Sequence, residues 1–138
     1  NEDWGCAAVS AGYVSHTDIL NNKVSHTNYS GICVGWGWTA LKCGMQCNRI
    51  EGNTVSDYAR RLYDAGGIYT LSNQPGSVIQ RNTISAPHPA PYATNHRAFC
   101  IYFDEATDGF TVSENVMVKG SYGYNCPGPN LIVKDNIQ

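Results

Sequence analysis

Two sets of acidic residues stand at comparable distances from a pair of recurring isoleucines. Asp64 lies four residues before Ile68, while Asp104 and Glu105 lie three and four residues after Ile101. If the isoleucines hold equivalent places in neighbouring short strands, these carboxyl groups flank one exposed surface from opposite ends. One carboxyl group kept protonated and another kept ionised supply an acid and a base or nucleophile for bond cleavage. Strand residues alternate faces, so inward Ile68 and Ile101 would turn Tyr69, Leu71, Tyr102 and Asp104 outward. An aromatic floor beside a carboxylate is expected, extended by Trp36 and Trp38 of GWGW as broad apolar faces for a ligand. His88 and His96 lie in the Pro-rich stretch APHPAPYATNHRAF, an irregular loop suited to bordering a cleft.

Each of these residues has a plainer use. Asp64, just before Ala-Gly-Gly, serves equally as a turn cap, and Asp104 and Glu105 serve equally as solvated turn residues. Outward Tyr and Trp stacks stabilise parallel strands by packing alone. His16 and His26, both in Ser-His-Thr, fit turns better than chemistry.

The elements that would position these residues show as a repeat. The pattern aliphatic-x-x-Asn-x-aliphatic occurs at Ile19/Asn22/Val24, Ile50/Asn53/Val55, Ile79/Asn82/Ile84 and Val112/Asn115/Met117, and Val133/Asn136 begins a fifth copy. A second register carries SGICVGW, GGIYTL and CIYFDE, with a weaker copy in GYNCPG, giving lead residues Ile32, Ile68, Ile101 and Tyr124. The spacing predicts a right-handed parallel β-helix of four to five coils, each with two short strands and an Asn-bearing turn, rising about 4.8 Å per coil. The asparagines are expected to form a ladder, Asn itself taking the left-handed backbone of the turn. Insertions at 39–47, 58–65 and 86–97 become loops along the edges of a groove.

No helical stripe survives the Gly, Pro and Asn clusters. An antiparallel sandwich would also show short strands, but it does not call for one Asn per repeat.

Composition bounds the partners. The 138 residues suit one domain, and charged residues make up only 14%, the balance being filled by turn formers that include 13 Asn. A net charge of −2 and a pI near 6.0 give no basic field for nucleic acid. No apolar run approaches the ~20 residues of a membrane span, so no membrane partner is expected. Six cysteines in so short a chain point to disulfides and an oxidising compartment, with 15 connectivities open, or else to small buried apolar residues. Cys43 and Cys47, in CGMQC, could bridge locally; they lack a second pair at zinc spacing, so neither metal nor cofactor is expected. With the sequon Asn28-Tyr29-Ser30 this favours a secreted or extracellular protein. Open coils at both ends predict a piece of a longer chain or end-to-end self-association.

The series YSGICVGWGW, YDAGGIYTLSNQPGSVIQRNTI and CIYFDEATDGFTVSENVMV resembles the β-helical domain of secreted glycoside hydrolases of the fucosidase and xylanase type. The resemblance implies a pectate-lyase-like right-handed β-helix, a polysaccharide or other glycan as substrate, and paired carboxylates in a groove. Glycoside hydrolysis sets two carboxyl groups across the scissile bond, a role open to Asp64 with Asp104 or Glu105. Trp36, Trp38, Tyr69, Tyr102 and His96 are then the substrate-binding candidates. A polysaccharide lyase is the enzymatic rival, with Arg97 or Arg60 as base and commonly a calcium ion. A spacer, carbohydrate-binding module or self-stacking fibre is the rival outside catalysis.

Overall fold

The aliphatic columns of the repeat are built into three parallel sheets in the computed structural model, which describes residues 5–85, 87–88, 90–91 and 97–138. The first sheet holds β1 (Val9–Ala11), β4 (Ile32–Val34), β7 (Ala65–Thr70), β10 (Ala98–Phe103) and β13 (Tyr122–Tyr124). The second holds β2 (Asp18–Leu20), β5 (Arg49–Glu51), β8 (Asn73–Gln80), β11 (Asp108–Ser113) and β14 (Ile132–Lys134). The third holds β3 (Lys23–Ser25), β6 (Thr54–Ser56), β9 (Thr83–Ser85) and β12 (Val116–Val118). The chain visits the sheets in rotation, as in a β-solenoid, and no helix among the described residues is long and apolar enough to cross a membrane.

Register explains the core. Ile19, Ile50, Ile79, Val112 and Val133 pair in line, as do Val24, Val55, Ile84 and Met117. Val9, Ile32, Ile68, Ile101 and Tyr122 make the third column. The central members of these columns are fully buried, each side chain contributing about 1.5–3 kcal/mol.

The expectation of two strands per coil is corrected to three. The Asn motif straddles a corner, and the left-handed residue is the one before each motif Asn: Asn21, Gly52, Arg81, Glu114 and Asp135 have φ of 55°, 66°, 53°, 57° and 54°. That conformation swings the chain from the second sheet to the third and points the next Asn inward. Asn53 then donates through Nδ2 to the Ile19 carbonyl at 2.9 Å and to Asn82 Oδ1 at 2.9 Å. Asn82 and Asn115 repeat the arrangement one coil on. Buried carbonyls and amides at the corner are thereby satisfied.

In the first sheet the simple alternation of faces breaks. Cys100 and Ile101 both belong to the core, and a Cβ on Gly67, just before core residue Ile68, would lie 2.5 Å from Ile84 Cγ2. Phe99, Tyr69 and Tyr102 pack together on the other face. Two successive inward residues at one level bend β7 and β10 alike, with small residues Gly31, Gly67 and Cys100 at the bend.

The lead residue of the weak fourth copy is also corrected. Tyr122 pairs with Ile101, whereas Tyr124 pairs with Phe103 and is 56% exposed. Disulfides are expected from the sequence, and none joins the cysteines among the described residues. Cys43, Cys47 and Cys100 direct their thiols to backbone carbonyls of Asn73, Pro75 and Ile84.

Candidate active site

Strands β7 and β10 carry the candidate carboxylates at opposite ends of their outer face. Asp64 immediately precedes β7, in left-handed backbone with φ 58°, and Asp104 immediately follows β10. The shared bend turns the start of β7 towards the tyrosines, so side chains join the two ends. Tyr102 Oη donates to Asp64 Oδ1 at 2.9 Å, and the Tyr69 hydroxyl donates to Asp104 Oδ2. The two rings meet edge to face with centroids 5.3 Å apart.

Asp104 is 5% exposed and well supplied with donors. Besides Tyr69, Asn125 Nδ2 lies 2.7 Å from Oδ1 and Trp38 Nε1 lies 3.3 Å from Oδ2. Burial, the largest single influence, opposes its ionisation. Hydrogen bonds from Tyr69, Asn125, the Glu105 amide and Trp38 together outweigh burial and hold the carboxyl below the ordinary range. Asp104 is therefore an anion near neutrality. Tyr69 and Tyr102 are pushed the other way, first by burial and then by their carboxylate partners, and stay protonated as donors.

Asp64 is more open. Arg97 Nε lies 3.0 Å from the same Oδ1, and the Arg97 guanidinium also donates to the Tyr102 hydroxyl. Tyr29 Oη fixes the Asp64 carbonyl at 3.0 Å. Burial, which would lower the Arg97 pKa, is outweighed by Asp64 and Tyr102, so Arg97 remains a cation and is unsuited to the base of a lyase. Arg60 likewise stands beside a carboxylate, its Nε 3.7 Å from Asp57 Oδ2.

A pocket of about 260 Å³ opens between Tyr29, Cys33, Trp36, Trp38, Tyr69 and Leu71, and Asp104 lies behind its wall, bonded to Trp38 and Tyr69. Trp36 and Trp38 are 52% and 45% exposed, with ring centroids 4.9 Å apart. The Ser72 hydroxyl steadies them, donating to the Trp36 carbonyl at 3.0 Å and accepting from the Thr39 amide at 2.9 Å. Burial pushes the Cys33 thiol up to about 12, against a lowering hydrogen bond from Ser30, so it is no thiolate nucleophile.

The residues read from the sequence divide accordingly. Asp64, Asp104, Tyr69, Tyr102 and Trp38 are joined by hydrogen bonds and ring contacts, with Trp36 at the pocket wall. Tyr102 is fully buried and Tyr69 is 5% exposed, so the expected open floor of these two rings is instead a covered network. Glu105 has an exposed side chain in the turn after β10 and lends its carbonyl to the Ser72 amide. His96 lies outside the described residues, while His16 and His26 occupy left-handed turn positions with φ 52° and 60°. Sequence reading missed Tyr29, Ser72 and Asn125. Asn125 follows Tyr124, the partner of Phe103, so the correct register would have set it beside Asp104.

No family model matches this chain, and no curated protein matches it. Among solved structures it is similar to one named "Glycoside hydrolase", at 37% identity and a TM-score of 0.94. The match covers 98% of this chain and 23% of that one, so the chain spans about a quarter of the length of the structure it resembles.

Proposed function

We propose that this chain is a carbohydrate-active segment of the glycoside hydrolase type, with Asp64 and Asp104 as the carboxylate pair that cleaves a glycosidic bond. The observation that carries the reading is the ionised Asp104, held by Tyr69, Trp38 and Asn125 beside an aromatic pocket. Asp104 serves as the anionic partner, base or nucleophile. Asp64, more open to solvent and contacted on Oδ1 by Arg97 and Tyr102, gives a proton to the leaving oxygen as the glycosidic bond breaks, and the water that adds to the sugar carbon returns one to the carboxylate pair. The pocket tryptophans take the apolar faces of the sugar ring. Five coils wound in the right-handed sense usual for parallel crossovers, a fucosidase or xylanase kinship and secretion complete this reading. The similarity to a solved glycoside hydrolase over nearly the whole of this chain supports it.

A panel of plant, algal and host glycans tests it, comparing the chain with Asp64→Asn and Asp104→Asn after circular dichroism has shown each folded. Turnover by the parent and a loss of about 10²-fold or more in both variants is expected. Cleavage retained in either variant removes that residue from the pair. The donor-saturated Asp104 favours a second reading, a module that binds glycan without cutting it; binding without turnover on every glycan would establish that one instead.

A further inference from the structure

The tandem Gly-Trp-Gly-Trp at 35–38 has a shape that the carboxylate pair does not account for. Gly35, Gly37 and Trp38 have φ of 115°, 101° and 45°, so the chain folds tightly as it leaves β4. A Cβ at Gly35 would stand 2.4 Å from the Leu71 carbonyl oxygen, and one at Gly37 would stand 2.7 Å from Tyr13 Oη. Glycine at the first position lets the loop lie against the coil above, and at the second against Tyr13 of the coil below.

Tyr13 enters from that lower coil. Ala11 pairs with Val34, and the Gly35 amide donates to the Ala11 carbonyl at 2.8 Å, so Gly12 and Tyr13 run beneath the Gly35–Gly37 turn. Tyr13 is 63% exposed, more than either pocket tryptophan, and its hydroxyl end rests against Gly37 between the two. A third exposed aromatic residue is thereby set one coil away, a step of ~4.8 Å that is close to the length of one sugar residue in a chain.

The pocket already reaches the same coil. Outward residues Ser10, Cys33 and Tyr69 stand in register on β1, β4 and β7, and the drop from tyrosine to cysteine and serine leaves the space that they line. Among the described residues the lining carries no ionised side chain. Asp104 stands behind it as an anion held by the neutral donors Tyr69, Trp38 and Asn125, and would repel a carboxylate or sulfate on the ligand.

Resting on the carbohydrate reading above, we propose that Tyr13 is a second stacking site beside the Trp36 and Trp38 pocket, and that the ligand is an uncharged glycan chain spanning both. The exposed ring offers an apolar face with a polar handle, as the tryptophans do.

Calorimetric titration with uncharged gluco-, xylo- and manno-oligosaccharides of one to four residues, and with galacturonate oligomers of the same lengths, tests the assignment. The parent, Tyr13→Ala and Tyr13→Phe are compared after thermal melts have shown each folded. In at least one uncharged series, affinity for the parent is expected to rise about tenfold between the shortest ligand that binds and a chain one or two residues longer. Tyr13→Ala should lose that rise while binding the shortest ligand as the parent does, and Tyr13→Phe should keep it. Affinity independent of length, a rise that survives in Tyr13→Ala, or tighter binding of the galacturonate oligomers overturns the proposal. A Tyr13-dependent dimer in sedimentation velocity, without a length effect, gives the surface to a second copy and overturns it as well. Binding without the Tyr13 effect leaves the carbohydrate reading standing, whereas no binding by any member of either series removes that reading together with this one.

Discussion

The Tyr69 phenol, on β7, donates to the Asp104 carboxylate at the end of β10, so a buried tyrosine of one coil sets the charge state of an acid in the next. Asp104 has a depressed pKa in the folded chain and an ordinary value near ~3.9 unfolded. Its stabilising contribution is thus complete above that unfolded value and is lost as the pH falls through the folded one. Tyr69→Phe removes a donor to a charged group, at a cost of about 1.5–3 kcal/mol near neutrality. It also moves the folded pKa back towards the unfolded one. Urea midpoints of parent and variant are therefore expected to differ most at pH 7 and to draw closer as the pH is lowered towards 3. A gap of equal size at both pH values would show that the lost stability does not come from this carboxylate.

Asn82 sits midway in the stacked asparagines. Its Nδ2 serves the Ile50 carbonyl and Asn115 Oδ1, and its Oδ1 receives the Asn53 amide and side chain. Asn82→Ala strands several buried groups at once and is expected to cost about 3–5 kcal/mol, as the sum of one to three unmet partners. Asn22, at the exposed end of the stack, is expected to cost under about 1 kcal/mol when replaced by Ala. Chemical denaturation of the two variants side by side checks the gradient. Equal costs would mean that burial along the stack does not govern its strength.

The same residues show what was legible beforehand. Aliphatics such as Ile50, Ile79 and Val112 recur because each must fill the core above its neighbour, so the columns could be read as a repeat. Asp64 and Asp104 were legible because their offsets from Ile68 and Ile101 follow the same register. The third sheet was not, since a single left-handed residue such as Arg81 or Glu114 makes the corner and almost any residue type can be placed there. The bend in the first sheet was also hidden. Gly31, Gly67 and Cys100 share small size and no chemical type, and without the bend Tyr102 would have been judged an open platform rather than a buried link to Asp64. Tyr29 and Ser72 act through a carbonyl bond and a loop bond across coils, for which spacing within one coil carries no signal.

Gly67 gives the bend a direct test. A Cβ there would stand 2.5 Å from Ile84 Cγ2 and 3.0 Å from the Cys100 carbonyl oxygen, both inside the packed core. Gly67→Ala is expected to lower stability by about 1–3 kcal/mol through overpacking. The backbone shift that relieves the clash should also draw Tyr102 away from Asp64, so glycan turnover should fall with stability. A thermal melt and an activity assay on one preparation read both. An unchanged melting temperature would mean that β7 has room at this level and that the bend is not forced by small residues.

Trp36 and Trp38 separate binding from support. Both line the pocket, yet only Trp38 has its indole nitrogen on Asp104. Trp36→Ala removes a half-exposed ring, so stability should change by no more than about 0.5 kcal/mol. Glycan affinity should weaken about tenfold, the loss of roughly 1.4 kcal/mol of ring stacking. Trp38→Phe keeps an aromatic face and removes one donor from a charged acceptor, so it is expected to act mainly on turnover and acid stability, with affinity changed less. Titrating glycan against the intrinsic fluorescence of each variant gives the affinities, because two of the chain's three tryptophans line the pocket. If Trp36→Ala binds like the parent while Trp38→Phe loses affinity, the sugar does not stack on Trp36 and its contact is with the Trp38 indole.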